Sequence, residues 1–283
     1  MVAVEGAGVR RVATLGWTAG VTLVASVVGS IAAAQDTAWR VHPTLQDKWT
    51  LQLGAFFPRL HTDTRLNSST GTEGTEVKLE NDLGFPRDRT LTSYLISMRF
   101  GERWKVEGEY VPLSRSNSVA IDRTISWGDR TYAVGTTVDA DFNSDVYRLS
   151  VGYSFAKSDK AEAGIVIGAH VTDFSVSLSA PRLGGQRGDV LAPLPTVGLY
   201  GAYAFTPRWL LSGRADYFSL SYEEYEGSLV HATVGMEYRM ARNLGIQVGY
   251  RHVHYDLSTS KPSYNGNVDY RFSGPTLYLI GSF

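Results

Sequence analysis

The sequence contains no cysteine, so no disulfide bond contributes to the stability of the fold. Neither sign of charge is in excess, and the formal net charge of −1 provides no basic surface for a nucleic acid. Beyond residue 31 there is no apolar run of the roughly 20 residues that a transmembrane helix needs. Any later membrane span must therefore be made of strands, because lipid leaves backbone polar groups no partner outside helices and closed barrels.

The first residues of the chain are organised like a secretory signal peptide. Arg10 and Arg11 precede an uncharged run, 12–31, which is followed by the small residues Ala32-Ala33-Ala34. A basic, an apolar and a small-residue region in this order predict a cleaved signal peptide at 1–34. An uncleaved membrane anchor is the alternative, since the apolar run has about the length of a membrane helix.

Alternation of apolar and polar residues with a period of two recurs along most of the remaining chain, and it predicts strands. The predicted segments have about the 9–11 residues that a tilted membrane strand needs, or slightly more. The ten segments are 49–57, 90–100, 103–113, 144–155, 160–172, 194–205, 208–220, 228–240, 243–255 and 270–283.

The connections between these segments alternate between short and long. Short turns with long loops on the opposite side are typical of a barrel with tight periplasmic turns and larger extracellular loops. The predicted long loops are 58–89, 113–143, 173–193, 221–228 and 256–269. Within the second of them, alternation continues on both sides of Trp127, which predicts a hairpin that extends beyond the membrane.

One face of the predicted strands is apolar and has aromatic residues beside the short turns. Aromatic side chains are favoured at a membrane boundary, so these residues predict a periplasmic girdle. A soluble β-sandwich has no reason to place aromatic residues according to turn length. The girdle residues are Phe100, Trp104, Phe155, Phe205, Trp209, Tyr238 and Phe283.

The opposite face is polar and carries both signs of charge. Because unpaired charges in a narrow lumen would be costly, we expect ion pairs that fill the barrel and leave it narrow or blocked. The predicted network comprises Lys105, Glu107, Arg148, Glu162, Arg214, Asp216, Glu237, Arg239 and Arg251.

The last strand, Val268 to Phe283, alternates and ends on an aromatic residue. It resembles the carboxy-terminal assembly signal of bacterial outer-membrane barrels, and the whole pattern resembles the small Gram-negative outer-membrane proteins of the OmpA- and OmpW-like class. The resemblance implies an all-β transmembrane antiparallel up-and-down barrel of ten strands (eight to twelve) in the outer membrane, after a signal peptide. It also implies lipid, lipopolysaccharide and the barrel-assembly machinery as partners.

The chain differs from that class in two features. Its members have eight strands rather than ten, and the OmpW-like lumen is apolar, so uptake of hydrophobic compounds is not expected here. We assign 1–34 to the signal peptide, 35–48 to a short periplasmic segment and 49–283 to the barrel.

Candidate contact residues lie in the long loops, where function concentrates. Trp127, Tyr222 and Tyr225 are candidates, with packing against neighbouring loops as the alternative for Trp127. His252 and His254 share one face of a strand near Asp256 and Asp269, which could bind zinc, but strand-end histidines at the outer interface are the simpler interpretation.

Known enzymes among such barrels have recognisable motifs. Omptin-like proteases carry Asp-Asp and Asp-His pairs, outer-membrane phospholipases a His-x-Ser-Asn stretch and lipid A deacylases a His-x-Ser; none occurs here. We therefore predict no catalytic, cofactor-binding or metal-binding residues. The expected function is interaction through extracellular loops above an occluded lumen. The alternatives are a narrow pore or small-molecule uptake barrel, and an enzyme that hydrolyses lipid or peptide.

Overall fold

The computed structural model describes residues 39–222, 225–261 and 264–283. The predicted signal peptide, 1–34, lies outside the described residues. In the described ranges, no helix is long and apolar enough to cross a membrane. The two short helices there are α1 (Pro43–Gln46) and α2 (Leu79–Asp82).

Ten strand positions form a closed antiparallel ring in the described residues. The last strand pairs with the first, and Thr50 lies opposite Ser282 at this seam. Closure removes the free edges of the sheet, and the predicted up-and-down barrel of ten strands is confirmed. The described strands are β1 (Trp49–Phe56), β2 (Arg59–Leu66), β3 (Val77–Lys78), β4 (Leu91–Phe100), β5 (Trp104–Ala120), β6 (Ile125–Trp127), β7 (Arg130–Tyr132), β8 (Thr137–Lys157), β9 (Ala161–Ala180), β10 (Gly184–Ala204), β11 (Trp209–Tyr222), β12 (Tyr225–Ala241), β13 (Leu244–Lys261) and β14 (Tyr264–Ser282). The ring consists of β1, β4, β5 and β8 to β14.

Many ring strands are longer than predicted. β8, β9 and β10 have 20 or 21 residues each, about twice what a bilayer requires. The additional residues extend on the side of the long connections, which is extracellular because the short turns are periplasmic. The loops predicted at 113–143, 173–193 and 256–269 are thus largely strand. The predicted strands end where the outward-facing residues become polar, whereas in the structure the backbone pairing continues into water.

In space, the wall above the membrane is completed between β2 and β5 by the irregular segment that connects β2 to β4 in the sequence. β2 continues β1 along β14, and α2 follows the two-residue strand β3. Glu80 on α2 pairs with Arg115 of β5 (Oε1–Nη1 2.6 Å) and accepts a hydrogen bond from the backbone N–H of Thr62 (2.8 Å). Asn117 donates to the carbonyl oxygen of Leu83 (2.6 Å). The predicted loop 58–89 therefore closes the extracellular part of the barrel.

The outer surface of the ring carries a band of exposed apolar side chains. Leu149, Ile167 and Leu199 are each more than 60% exposed on this band. Contiguous apolar surface of this kind is rare on soluble monomers and is suited to lipid tails. Tyr110 and Tyr147 stack at its extracellular margin, with ring centroids 4.8 Å apart.

Residues 39–48 fold into the periplasmic end of the barrel, and we call them the plug segment. The indole of Trp39 donates a hydrogen bond to the carbonyl oxygen of Pro207 (2.7 Å). Leu45 is 1% exposed and packs with the buried Leu210. Residues 39–48 of the segment assigned as periplasmic therefore pack against the inner wall.

Candidate functional site

The membrane-spanning part of the interior is organised around the carboxylate of Glu109. Arg148 and Ser93 donate hydrogen bonds to it, each at 2.9 Å. Arg251 also donates to Glu109 and reaches the hydroxyl of Tyr278 at 2.9 Å. All three charged groups are buried, which is tolerable because each has a partner of opposite charge within hydrogen-bonding distance.

A second group of charges surrounds Arg214 of β11. Its guanidinium donates two hydrogen bonds to Asp216, at 2.7 and 2.9 Å, and another to Ser150 at 3.2 Å. Arg214 also pairs with Glu107, which lies 3.3 Å from the ammonium group of Lys105. These pairs connect β5, β8 and β11 across the lumen.

A third ion pair joins Arg99 of β4 to Glu162 of β9. Two hydrogen bonds of 2.8 Å connect the guanidinium and the carboxylate, and Ser154 donates a further one to Glu162. Paired bonds of this geometry are among the strongest between side chains. The pair spans β5 and β8, so it connects two strands of the wall that are not neighbours.

The plug segment contacts a fourth ion pair, Glu237 with Arg239 (Oε1–Nε 2.6 Å). The hydroxyl of Thr44 donates to Glu237 (3.0 Å) and accepts a hydrogen bond from Arg239 (2.6 Å). Burial, reinforced by the charge of Arg239, lowers the pKa of the neighbouring His42 to about 3. His42 is therefore neutral at physiological pH.

All nine residues of the predicted network lie inside the barrel. Arg99 and Glu109 are equally central, although the prediction did not include them in the network. Alternation along β4 and β5 places both on the polar face, although neither is among the nine named residues. The contribution of Thr44 and Asp47 from the plug segment has no corresponding signal in the sequence, since it depends on how the chain folds back.

A cavity of about 160 Å³ remains between these ion pairs, and we call it the chamber. Tyr200 and Tyr278 point into it. A Cβ atom at Gly164 would collide with the ring of Tyr200, and one at Gly54 with that of Tyr278. Glycine on the facing strands therefore makes room for both aromatic side chains.

The extracellular half of the interior is mostly apolar apart from the Arg115–Glu80 pair, which corrects the expectation of an ionic filling throughout. Tyr270 lies 5.4 Å from Phe142 and 5.9 Å from Phe174, as distances between ring centroids. In this part the outer wall faces water, so burial of apolar side chains inside stabilises the fold as in a soluble protein. The upper core is built around the buried residues Phe56, Leu60, Phe142, Phe174, Leu178, Tyr255, Tyr270 and Phe272.

Of the two interpretations of Trp127, packing against neighbouring residues is confirmed and the exposed-contact prediction is wrong. It lies at the end of β6 before a tight turn at Gly128, whose φ of 57° favours glycine. The hairpin of β6 and β7 folds onto the upper core, where Trp127 and Tyr132 are fully buried. Tyr132 donates a hydrogen bond to the carbonyl oxygen of Leu178 (2.9 Å). A fully buried indole is not accessible to a partner.

The other two predicted contacts are at the tip of the β11–β12 hairpin. The backbones of Tyr222 and Tyr225 pair there, and their side chains lie outside the described part of the structure. Tyr222 and Tyr225 therefore remain predictions as contact residues.

A polar cavity of about 420 Å³ lies close to this tip, and we call it the rim cavity. Hydroxyl and amide side chains dominate its lining, with one guanidinium and one carboxylate. The polar side chains are those of Arg65, Asn67, Ser221, Glu226, Ser258, Thr259, Ser260, Asn265 and Asn267.

The predicted girdle residues lie on the outer face beside the periplasmic turns. Trp104 is 4.9 Å from Tyr153 and Trp209 is 4.8 Å from Tyr238, as distances between ring centroids. Among the seven, Tyr238 is partly buried and the following six are exposed: Phe100, Trp104, Phe155, Phe205, Trp209 and Phe283.

The two histidines considered for zinc are also on the outer face, with different partners. His252 Nδ1 is 2.6 Å from the hydroxyl of Ser273, and His254 Nε2 is 3.4 Å from Asp269. Asp63 lies opposite Asp269 on the neighbouring strand. Burial, together with the charge of Asp269, raises the pKa of Asp63. The geometry thus favours pairwise contacts on the wall rather than convergence of both imidazoles.

No protein-family model matches the chain, and no curated protein matches it in sequence. Among solved structures, the outer membrane protease OmpT from Escherichia coli is similar over 88% of this chain and 99% of its own, with 12% identity and a TM-score of 0.55. At this identity the similarity shows the fold alone.

Two further structures are more distant. The toluene transporter TodX of P. putida matches 86% of this chain and 92% of its own (10% identity, TM-score 0.37). The attachment invasion locus protein Ail of Yersinia pestis matches 82% of this chain and 99% of its own (8% identity, TM-score 0.32). The TM-scores of TodX and Ail are too low to support a conclusion about this chain. Taken with its closed ring and exposed apolar band, the chain has the fold of bacterial outer-membrane β-barrel proteins.

Proposed function

We propose that the protein is a non-conducting outer-membrane barrel whose extracellular rim binds polar, hydroxyl-rich ligands, with carbohydrate as the ligand class. The observation that supports this function is the filling of the interior at three levels. In the described part of the chain, these are the plug segment, the ion pairs around the chamber, and the upper core. A hydrated solute would have to displace all three to cross.

The long strands support the same proposal. About ten residues of β8, β9 and β10 extend past the membrane, which corresponds to roughly 30 Å of strand. The filled upper core makes this extension a rigid support. It holds the rim clear of the lipid headgroups, where a large external ligand has access.

The rim cavity indicates the chemistry of the ligand. Its volume is within the range of small-molecule sites, roughly 300–1,000 Å³. Ser258, Ser260 and Asn267 present hydroxyl and amide groups that donate and accept hydrogen bonds, as sugar hydroxyls do. Arg65 and Glu226 at the same cavity could orient a ligand that carries a charged substituent.

A glycan array probed with the folded, detergent-solubilised barrel tests the rim site. We expect retention of a small set of glycans, and loss of retention when Ser260→Trp fills the cavity. Ser116→Trp is the matched control, because Ser116 is exposed on β5 away from the cavity. Absence of retention, or equal retention by both variants, would contradict carbohydrate binding at this site.

Planar-bilayer recording tests the filled interior. We expect no steady conductance from the reconstituted protein. Single-channel steps would support the narrow-pore alternative instead, and cleavage of added peptide or phospholipid by the same preparation would support an enzyme.

A further inference from the structure

Three buried side chains of the interior converge between the chamber and the upper core. His170 on β9, Asp216 on β11 and His231 on β12 each offer one ligand atom, and these atoms lie within 4.8 Å of one another. All three residues are 3% exposed or less. We propose that they form a binding site for a divalent transition-metal ion, with Zn²⁺ as the metal.

Three of the four imidazole nitrogens in this cluster make no hydrogen bond of good geometry. Within the described residues, Nδ1 of His170 and both ring nitrogens of His231 are buried without a hydrogen bond. Most buried polar atoms in native proteins are paired, and an unpaired one calls for a water molecule, an ion or strain to explain it. Two such imidazoles beside one carboxylate form a recognised set of zinc ligands.

The distances suit a metal after a small movement. His231 Nδ1 is 3.3 Å from Asp216 Oδ2, which is close to the roughly 3.4 Å between two ligand atoms of a tetrahedral zinc site with normal bond lengths. The rings of His170 and His231 are 5.4 Å apart and nearly perpendicular. His170 therefore has to turn slightly toward the other two ligands.

The structure has space for this movement. A cavity of about 20 Å³, sufficient for one water molecule or ion, is lined by both histidines. His231 also lines the chamber, so the site adjoins the chamber. The open coordination position would then be filled by water from these cavities.

The surrounding charges decide whether a cation is tolerated there. Arg148 and Arg251 also line the small cavity, but both are paired with Glu109. Arg214 donates two hydrogen bonds to Asp216, which is a common second contact for a carboxylate that ligates a metal. Two imidazoles favour Zn²⁺, Cu²⁺ or Ni²⁺ over Mg²⁺ or Ca²⁺, whose preferred ligands are oxygens.

Titration with Co²⁺, a coloured substitute for Zn²⁺, tests the site in the folded barrel without a histidine tag. After treatment with a chelator, we expect visible absorption that saturates at one equivalent and disappears when Zn²⁺ is added. His231→Gln and His170→Gln should weaken Co²⁺ binding at least about tenfold, since each removes a ligand. Gel mobility with and without boiling checks that the variants remain folded.

His254→Gln is the matched control, because His254 lies on the outer wall and pairs with Asp269. Its Co²⁺ spectrum should equal that of the original protein. The proposal fails if the original protein gives no absorption, if either buried variant keeps full affinity, or if the control loses it. These outcomes are independent of glycan binding at the rim.

Discussion

Arg99 and Glu162, on strands β4 and β9, are joined by two hydrogen bonds of 2.8 Å inside the membrane-spanning part of the barrel. Both side chains are almost fully buried, so neither charge has water as an alternative partner. Removal of one partner should therefore destabilise the barrel more than removal of both.

Glu162→Ala should lower the free energy of unfolding by about 3–5 kcal/mol, because it leaves a buried guanidinium unpaired. The double variant Arg99→Met with Glu162→Leu should be within about 1 kcal/mol of the original protein. Urea unfolding in lipid vesicles measures both. A double variant as unstable as the single one would mean that the pair itself is strongly stabilising.

The apolar band gives a second prediction, which compares two outward-facing residues of the same strand. Val151→Arg should destabilise the barrel by about 2–4 kcal/mol, because Val151 is exposed between the two aromatic margins and faces lipid. Asn143→Arg, on the outward face of β8 above Tyr147, should have little effect because Asn143 faces water. Urea unfolding in vesicles measures this difference, and equal losses would place the membrane boundary elsewhere.

The upper core gives a third prediction. Trp127→Ala should destabilise the extracellular part by about 3–5 kcal/mol, because it leaves a cavity where a fully buried indole packs. Val134→Ala, at a position 61% exposed beside the same hairpin, should change stability by less than about 0.5 kcal/mol. Denaturant unfolding measures both, and a small loss for Trp127→Ala would mean that the hairpin is not part of the folded core.

The plug segment should release as the pH falls. The pKa of His42 is about 3 when docked and about 6.5 when solvated, so the undocked state binds the additional proton between these values. Docking is therefore fully stable above about pH 6.5 and weakens below it, by up to about 1.4 kcal/mol per pH unit.

Thiol labelling measures this release, because the chain has no cysteine of its own. A cysteine introduced as Leu45→Cys should react faster at pH 5 than at pH 7, relative to the unfolded chain at each pH. His42→Gln in the same background should remove most of the pH dependence. A similar dependence in both would assign the effect to other groups, such as Asp47 with Arg242.

Local patterns in the sequence were enough to predict the ring. Alternation, turn length and the positions of aromatic residues depend on local backbone geometry and on the solvent at each depth, so they can be read one strand at a time. They predicted ten antiparallel strands, their inward and outward faces and the location of the charged residues.

The extent and filling of the strands were predicted less well, for a physical reason visible along β8. Leu149 and Val151 point outward to lipid while Arg148 points inward, whereas above Tyr147 the outward residues are polar and Phe142 points into the upper core. The polarity of the two faces reverses where lipid gives way to water. A pattern that reverses without a break resembles the end of a strand.

Which side chains contact one another became known only from the folded chain. The docking of the plug segment, the burial of Trp127 and the convergence of His170, Asp216 and His231 join residues from distant parts of the chain. Such contacts depend on ring closure, on the register of each strand and on the space left by glycines. None of these quantities is a property of one strand, so a period of two cannot encode them.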